Sequence, residues 1–423
     1  MILKNVRYIE EDFRLRKGDI LIDNGIIKKI RKKIEIERNE ETFYCDNYIV
    51  LPGLANAHSH NPDTLTRGIF KDTKLADWCG HSKKGDLQKR IFEYLDRNVS
   101  TDDFEVMALK SYIQYIKQGI TFIIESGQAD FSASQLEKCI ERIGLKANLD
   151  LYDEFEEYKK SNGKLCYSTH FPEEEDINKE NIAELVRLNK EYKPFIMTHC
   201  LETQWRKEEV LKKFSVSTVE LLEKNNLLSE KSVLFHCVHV SKNDIELLKE
   251  KNANVVYCPV SNMWSGAGEM PIERMLEKDI NVMLATDFIY NDFWEVMKTT
   301  YYKLKSKDNK NLYSINDVFK MATSNSALIS GNSNYNGKII ENNSADLFFV
   351  EIQDCLYPLI EIPEFSNVLH NIIFHSNNEM IKHVIINGRW IMKDRKILTV
   401  NEDKINMEYK KICKKIFDKD VEL

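Results

Sequence analysis

The chain has 423 residues, with 60 Lys and Arg against 67 Asp and Glu, for a formal net charge of −7. A hydrophobic share of 43% supplies a large core and excludes a disordered chain, while the acidic balance argues against a protein that grips nucleic acid. No apolar run approaches the roughly 18 residues of a membrane span, and the opening Met1-Ile2-Leu3-Lys4-Asn5-Val6 lacks a signal peptide's apolar segment, so a cytoplasmic protein without membrane or nucleic-acid partners is expected.

Taken in chain order, Gly18 to Ile27 reads as two apolar strands about an Asn24-Gly25 turn, a strong hairpin signal. From about residue 51 to 334, short apolar runs alternate with charged stretches of helical period, such as Val106 to Ile116 and Ile182 to Leu188. That alternation predicts repeated βα units on a parallel sheet, and over roughly 250 residues the closed solution is a (β/α)₈ barrel. An open doubly wound sheet usually carries a Gly-rich phosphate loop, and neither GxGxxG nor GxxxxGK[ST] occurs among the 15 glycines. Ala345 to Val350 and the strand–turn–strand His383 to Ile391 make the C-terminal end β-rich as well. The expected division is therefore 51–334 for the barrel, with 1–50 and 335–423 forming a second, discontinuous domain. Nine cysteines without a CxxC pair exclude a disulfide framework or a Cys-rich zinc site. Lys28 to Lys33 and Lys410 to Lys415 read as solvated faces.

The chemistry-bearing residues share one placement, each closing an apolar strand-like run. Leu54-Ala55-Asn56-Ala57-His58-Ser59-His60 ends in HxH; runs ending at His170, His199 and His236 end in a histidine; Asn281 to Thr286 leads to Asp287. Strand ends of a barrel converge on one face, so residues far apart in sequence meet there. Side chains two apart on a strand share a face, so His58 and His60 can reach one ion. A third His and an Asp would complete an N/O ligand set for a divalent metal with one position open. A lone HxH is weak evidence, but four such residues closing separate runs favour the metal site.

Leu51-Pro52-Gly53-Leu54-Ala55-Asn56-Ala57-His58-Ser59-His60 resembles the opening motif of the amidohydrolase superfamily. His199-Cys200-Leu201-Glu202-Thr203, His236-Cys237-Val238-His239, Cys258-Pro259-Val260-Ser261-Asn262 and Thr286-Asp287 resemble its metal-dependent aminohydrolases, which include adenosylhomocysteine/methylthioadenosine deaminases, guanine deaminases and triazine hydrolases. Trp78, the Arg67-Gly68 pair, Ala322-Thr323-Ser324-Asn325 and the segment Gly337 to Leu347 fit the same branch. The resemblance implies the barrel plus a small β-sandwich made from both chain ends. It also implies one divalent metal, zinc as first choice with iron or manganese compatible, held by His58, His60, His199 and Asp287. Binuclear relatives add a carboxylated lysine at the end of a middle strand; here Lys146 begins its strand, so a mononuclear site is expected. A homodimer follows by family analogy alone.

The same resemblance implies the roles. Asp287 would accept a proton from the activated water, and Glu202, on the inner face if a helical turn begins at His199, would shuttle it to a ring nitrogen and the leaving amine. His236 would polarise the oxygen of the tetrahedral intermediate. His170, Trp78 and Arg67 would face the substrate, Trp78 stacking on a planar ring unless it only packs a loop. Asn262 would shape the backbone, and His239 would be a structural neighbour. The expected activity is hydrolytic deamination of an amino-substituted N-heterocycle, a small-molecule partner. Expulsion of chloride, an alkylamine or an amide fragment is the alternative, and a non-catalytic scaffold the remote one, since all six central residues are present. Three departures bear on the substrate. Phe288 follows the metal Asp where relatives commonly have Gly, neither Asp77 nor Asp86 matches the acidic ribose contact of nucleoside-specific members, and the segment between Glu125 and His170 looks short. Together they favour a compact ring.

Overall fold

The computed structural model describes residues 1–36, 40–69, 71–75, 77, 86–97, 99–127, 133–151, 165–288, 292–306 and 313–417. Eight parallel strands make the central sheet: β1 (Leu54–Ser59), β2 (Ile120–Glu125), β3 (Lys146–Leu151), β4 (Leu165–His170), β5 (Phe195–Cys200), β6 (Ser232–His236), β7 (Asn254–Tyr257) and β8 (Asn281–Leu284). Each pairs with its sequence neighbour, as right-handed βα units require. The strands are buried on both faces, which is why they read as continuous apolar runs rather than alternating ones. The first and last strands meet beyond β8. The Asp287 amide donates to the His58 carbonyl (3.1 Å), and the Asn56 side chain bonds Thr286 through both its ends (2.7 and 3.0 Å). Ala55, Phe122, Ile124, Met197, Val233 and Phe235 are among the side chains that fill the interior, so the barrel is a packed core and its chemistry is confined to the rim.

The helices around it start where capping residues allow. Ser100 accepts from the Asp103 amide ahead of Thr101–Lys117, and Asn178 and Ser241 head Lys179–Tyr192 and Lys242–Glu250 with reciprocal capping boxes. Both stretches of helical period seen in the sequence lie inside these helices.

The two chain ends build the expected second β unit, whose strands form one nine-stranded hydrogen-bonded sheet. Its continuous order runs Lys396–Ile397, Arg389–Lys393, Ile381–Ile386, Leu347–Glu351, Tyr48–Pro52, Ile2–Ile9, Leu15–Asp23, Ile26–Arg31, with Thr42–Tyr44 paired to Ile2–Ile9. It has an apolar core of its own that includes Leu3, Ile20, Val50, Leu347, Phe349 and Ile385. Strand Tyr48–Pro52 runs directly into the barrel, so the expected boundary at residue 50 falls inside a strand. Two Asn-Gly turns close its hairpins with positive φ at both residues: Asn24 and Gly25 (48° and 81°), Asn387 and Gly388 (50° and 70°). The turns touch, and a Cβ on Gly388 would come within 2.8 Å of the Gly25 Cα, so glycine is required there for space as well as for φ. The C-terminal helix Glu402–Phe417 leaves this sheet and packs on Thr101–Lys117, with Lys110 bonded to Asn406 (2.6 Å). Among the described residues no helix is long and apolar enough to cross a membrane.

Candidate active site

Four donor atoms converge at the C-terminal end of the barrel. His58 Nε2 lies 3.0 Å from His60 Nε2 and 3.1 Å from His199 Nε2; the His60–His199 separation is 3.4 Å. Asp287 Oδ1 completes the group, 3.4 Å from His58 Nε2 and 3.5 Å from His60 Nε2. Donors bonded at about 2.0–2.2 Å to one tetrahedral ion sit about 3.3 Å apart, so these separations fit one divalent metal. The ring orientations fit too. His60 Nδ1 donates to the Gly127 carbonyl (2.7 Å) and His199 Nδ1 lies 2.7 Å from Glu173 Oε1, so both rings turn Nε2 into the group. Burial drives the pKa of His58 well below its ordinary value and that of His60 down to about 4, against the opposing pull of Asp287, so both imidazoles are neutral. Burial alone would raise Asp287, but His236, His58 and His60 outweigh it and hold the carboxyl well below the usual range.

Facing this group are Glu202 and His236. His236 Nδ1 donates to Asn262 Oδ1 (2.8 Å), which turns Nε2 toward Glu202 Oε1 and Asp287 Oδ2, each 3.9 Å away. Burial opposes its charge, yet Glu202 and Asp287 raise its pKa above the ordinary histidine value. Asp287 Oδ2 also accepts from Ser261 Oγ. Several site strands leave the barrel through left-handed residues that are not glycine: Leu201 (φ 48°), His236 (67°), Cys237 (48°) and Asp287 (62°). Such conformations cost of order 1–3 kcal/mol each and cluster at functional sites.

Glu202 reaches the site by a route other than the one its spacing suggested. The helix begins only at Gln204, after the Thr203 cap, and Glu202 is swung inward by the left-handed turn at Leu201. Its Oε2 accepts from Arg206 Nη1 (3.0 Å). Asn262, expected to shape backbone, orients His236. His170 is buried beside His199, ring centroids 5.4 Å apart, with Nδ1 2.7 Å from Asp150 Oδ2. Burial works against its charge, but Asp150 prevails and its pKa is pushed up to about 9. His239 bonds the Ala267 carbonyl (2.9 Å), a structural contact.

Arg67 is not brought to this group; its exposed guanidinium donates to Gln114 (2.9 Å) on the neighbouring helix. Its side chain turns to the helix layer instead. Trp78 lies outside the described residues. Phe288 stands beside His60, centroids 5.8 Å apart, and packs with Ile69 and Leu75. Lys146 opens β3, buried against Asp346 and Ser344, and so stands at the strand's start.

Several supporting residues carry no sequence signal of their own. Glu173 is ion-paired to Arg206 and lies 2.7 Å from His199 Nδ1, and Asp150 accepts from Ser126 Oγ (2.9 Å) as well as contacting His170. Glu125 receives the Asn61 and Gly127 amides (2.9 and 2.8 Å) and Tyr112 (3.2 Å), fixing the chain on either side of His60. Burial pushes its pKa up to about 7. An acid closing the apolar run Ile120 to Ile124 was the one available hint.

The amidohydrolase family profile matches residues 49–391. A 5-methylthioadenosine/S-adenosylhomocysteine deaminase of Halothermothrix orenii is 27% identical over 98% of this chain and 99% of its own. A 5'-deoxyadenosine deaminase of Methanosarcina mazei is 26% identical, covering 98% of each chain. Among solved structures, an adenosine deaminase from Xanthomonas campestris with bound zinc superimposes with a TM-score of 0.85 at 17% identity over 98% of both chains.

Proposed function

Because the chain belongs to the amidohydrolase family, we propose that it is a metal-dependent hydrolytic deaminase of a compact amino-substituted N-heterocycle, converting a ring C–NH₂ and water into a ring carbonyl and ammonia. The observation that carries this reading is the convergence of three imidazole Nε2 atoms 3.0–3.4 Å apart with a carboxylate oxygen 3.4 and 3.5 Å from two of them, and Glu202 and His236 opposite. The deaminase relatives support the same chemistry.

A divalent ion, zinc by preference and one per chain, held by His58, His60, His199 and Asp287, supplies Lewis acidity that brings a water's pKa toward neutrality. Asp287 Oδ2, free of the ligand group and already turned toward His236, accepts the proton that the attacking water gives up. Glu202 delivers that proton to the ring nitrogen adjacent to the attacked carbon, which makes that carbon electrophilic, and then carries the second proton, lost by the adduct's hydroxyl as the carbonyl forms, to the departing amine. His236 carries the charge and orientation to donate from Nε2 to the oxygen as it becomes anionic. His170, kept cationic by Asp150, stands beside His199 on the side that the resemblance gives to the substrate. Phe288, at the wall beside His60, supports the preference for a compact ring.

Ammonia release by metal-loaded protein across amino-purines, their nucleosides, amino-pyrimidines, pterins and amino-triazines tests the proposal. A hit on any ring supports deamination and reads out whether a sugar is needed. Silence at one metal per chain, followed by release of chloride or an alkylamine from the same rings, replaces deamination with the other leaving groups.

A further inference from the structure

We propose that Arg206 is a positioning residue of this site: one guanidinium ties Glu202 to Glu173, so the carboxylate that moves protons and the carboxylate that orients His199 are held as one unit. The role rests on the deaminase reading for the reaction it serves.

Arg206 Nη1 lies 3.0 Å from Glu202 Oε2 and 2.9 Å from Glu173 Oε2, while Nη2 takes Glu175 Oε1 at 2.9 Å. The two site carboxylates are used in the same way. Each turns one oxygen to Arg206 and leaves the other for the site. Glu202 Oε1 faces His236 Nε2 at 3.9 Å, and Glu173 Oε1 faces His199 Nδ1 at 2.7 Å and His170 Nε2 at 3.6 Å. Glu202 precedes the helix and follows a left-handed residue, so helical backbone geometry does not aim its side chain.

Helix physics does not explain an arginine here. Arg206 lies in the first turn of Gln204–Phe214, where the helix dipole disfavours a cation, and its side chain is only 9% exposed, where an unpaired charge is costly. The surrounding carboxylates account for both. They also need it: sharing one Nη1 keeps Glu202 and Glu173 within about 6 Å of each other, a distance at which like charges repel. A lysine in this place would supply a point charge without the planar fork.

The test compares parent, Arg206→Gln and Arg206→Lys for metal per chain, far-UV circular dichroism, kcat, KM and the rate of metal loss to a chelator. Arg206→Gln is expected to load metal like the parent and to lose about 100-fold in kcat with KM changed less than about threefold, the pattern of a misplaced acid–base group. Added guanidinium ion should restore part of that loss, and chelator release should quicken by about tenfold because Glu173 is no longer held against His199. A metal-loaded Arg206→Gln enzyme with kcat within twofold of the parent overturns the proposal, as does a loss of activity that vanishes once turnover is expressed per bound metal. If the glutamine variant does not fold, Arg206→Lys decides: about a tenfold fall in kcat supports the shared fork, and parent-like kcat removes it. If the parent releases no ammonia from any ring, the deaminase reading fails by itself. Chelator release then decides on Arg206 alone, faster release keeping the bridge and an unchanged rate overturning it.

Discussion

Where the barrel strands begin, Lys146 is buried against Asp346 and Ser344, and Asp346 also receives the Asn387 amide at 2.8 Å. Where the strands finish, His58, His60, His199 and Asp287 present lone pairs to one another at 3.0–3.5 Å. Both ends bury ionisable groups away from water. At the first, each donor meets an acceptor and the account closes within the protein, as buried polar groups normally do. At the second, four acceptors share one small volume, the arrangement that the proposed cation would balance. The backbone does not follow the same line: left-handed residues other than glycine occur at the strand ends, at Leu201, His236, Cys237 and Asp287, and in the outer hairpins, at Phe13, Asp394 and Arg395. Closed pairing marks the strand starts, and a cluster of like acceptors marks the strand ends.

His199→Ala breaks this contrast most severely. It removes one of the four donors and the one held by Glu173, so metal retention by elemental analysis and turnover should both fall below detection; full retention of both would take His199 out of the ligand group. Glu202→Gln leaves the donors intact and should keep one metal per chain while kcat falls by about 10²–10⁴-fold. Near-normal turnover would reject its acid–base role. Lys146→Met makes the matching cut at the other end. The pair is 3% exposed on each side, and removing one partner of a buried ion pair costs about 3–5 kcal/mol. The denaturation midpoint should drop accordingly while metal per folded chain and kcat hold. A drop in kcat at full metal would mean that the two ends are coupled and the division between scaffold and working end is too sharp.

The same division explains what could be read from the residues alone. Barrel strands are legible because burial on both faces leaves continuous apolar runs, and His58, His60, His199, His236 and Asp287 stand out as the polar groups that close or follow them. The hairpins are legible because Asn-Gly has few other uses. Glu173 and Arg206 are not legible. One sits in the acidic run Glu173-Glu174-Glu175 and the other in an amphipathic helix, patterns that ordinarily mean solvated surface, and only tertiary packing turns both inward. Glu202 is visible by motif, but its local geometry is not, because a left-handed residue at Leu201 takes the place of a helical turn. Arg67 shows the reverse: a residue singled out by motif whose side chain is bound to Gln114.

Phe288 offers the finest cut between scaffold and site. Its ring packs with Ile69 and Leu75 as a small apolar cluster, and its carbonyl accepts from Thr66 Oγ1 (3.2 Å), both of which suit a scaffold. Yet it follows Asp287 directly and stands edge-on to His60 at 5.8 Å, beside the proposed metal group. If it forms the wall of the pocket, Phe288→Ala leaves metal content and kcat for a small ring nearly unchanged and opens room for a larger one. The ratio of kcat/KM between a nucleoside and its free base should then rise by about tenfold, the scale on which an apolar pocket discriminates size. If it belongs only to the cluster with Ile69 and Leu75, the ratio stays fixed and the melting temperature alone falls. The outcome assigns the residue to one side of the division, and it tells whether the Phe in the usual place of a glycine restricts the substrate or merely seals a loop.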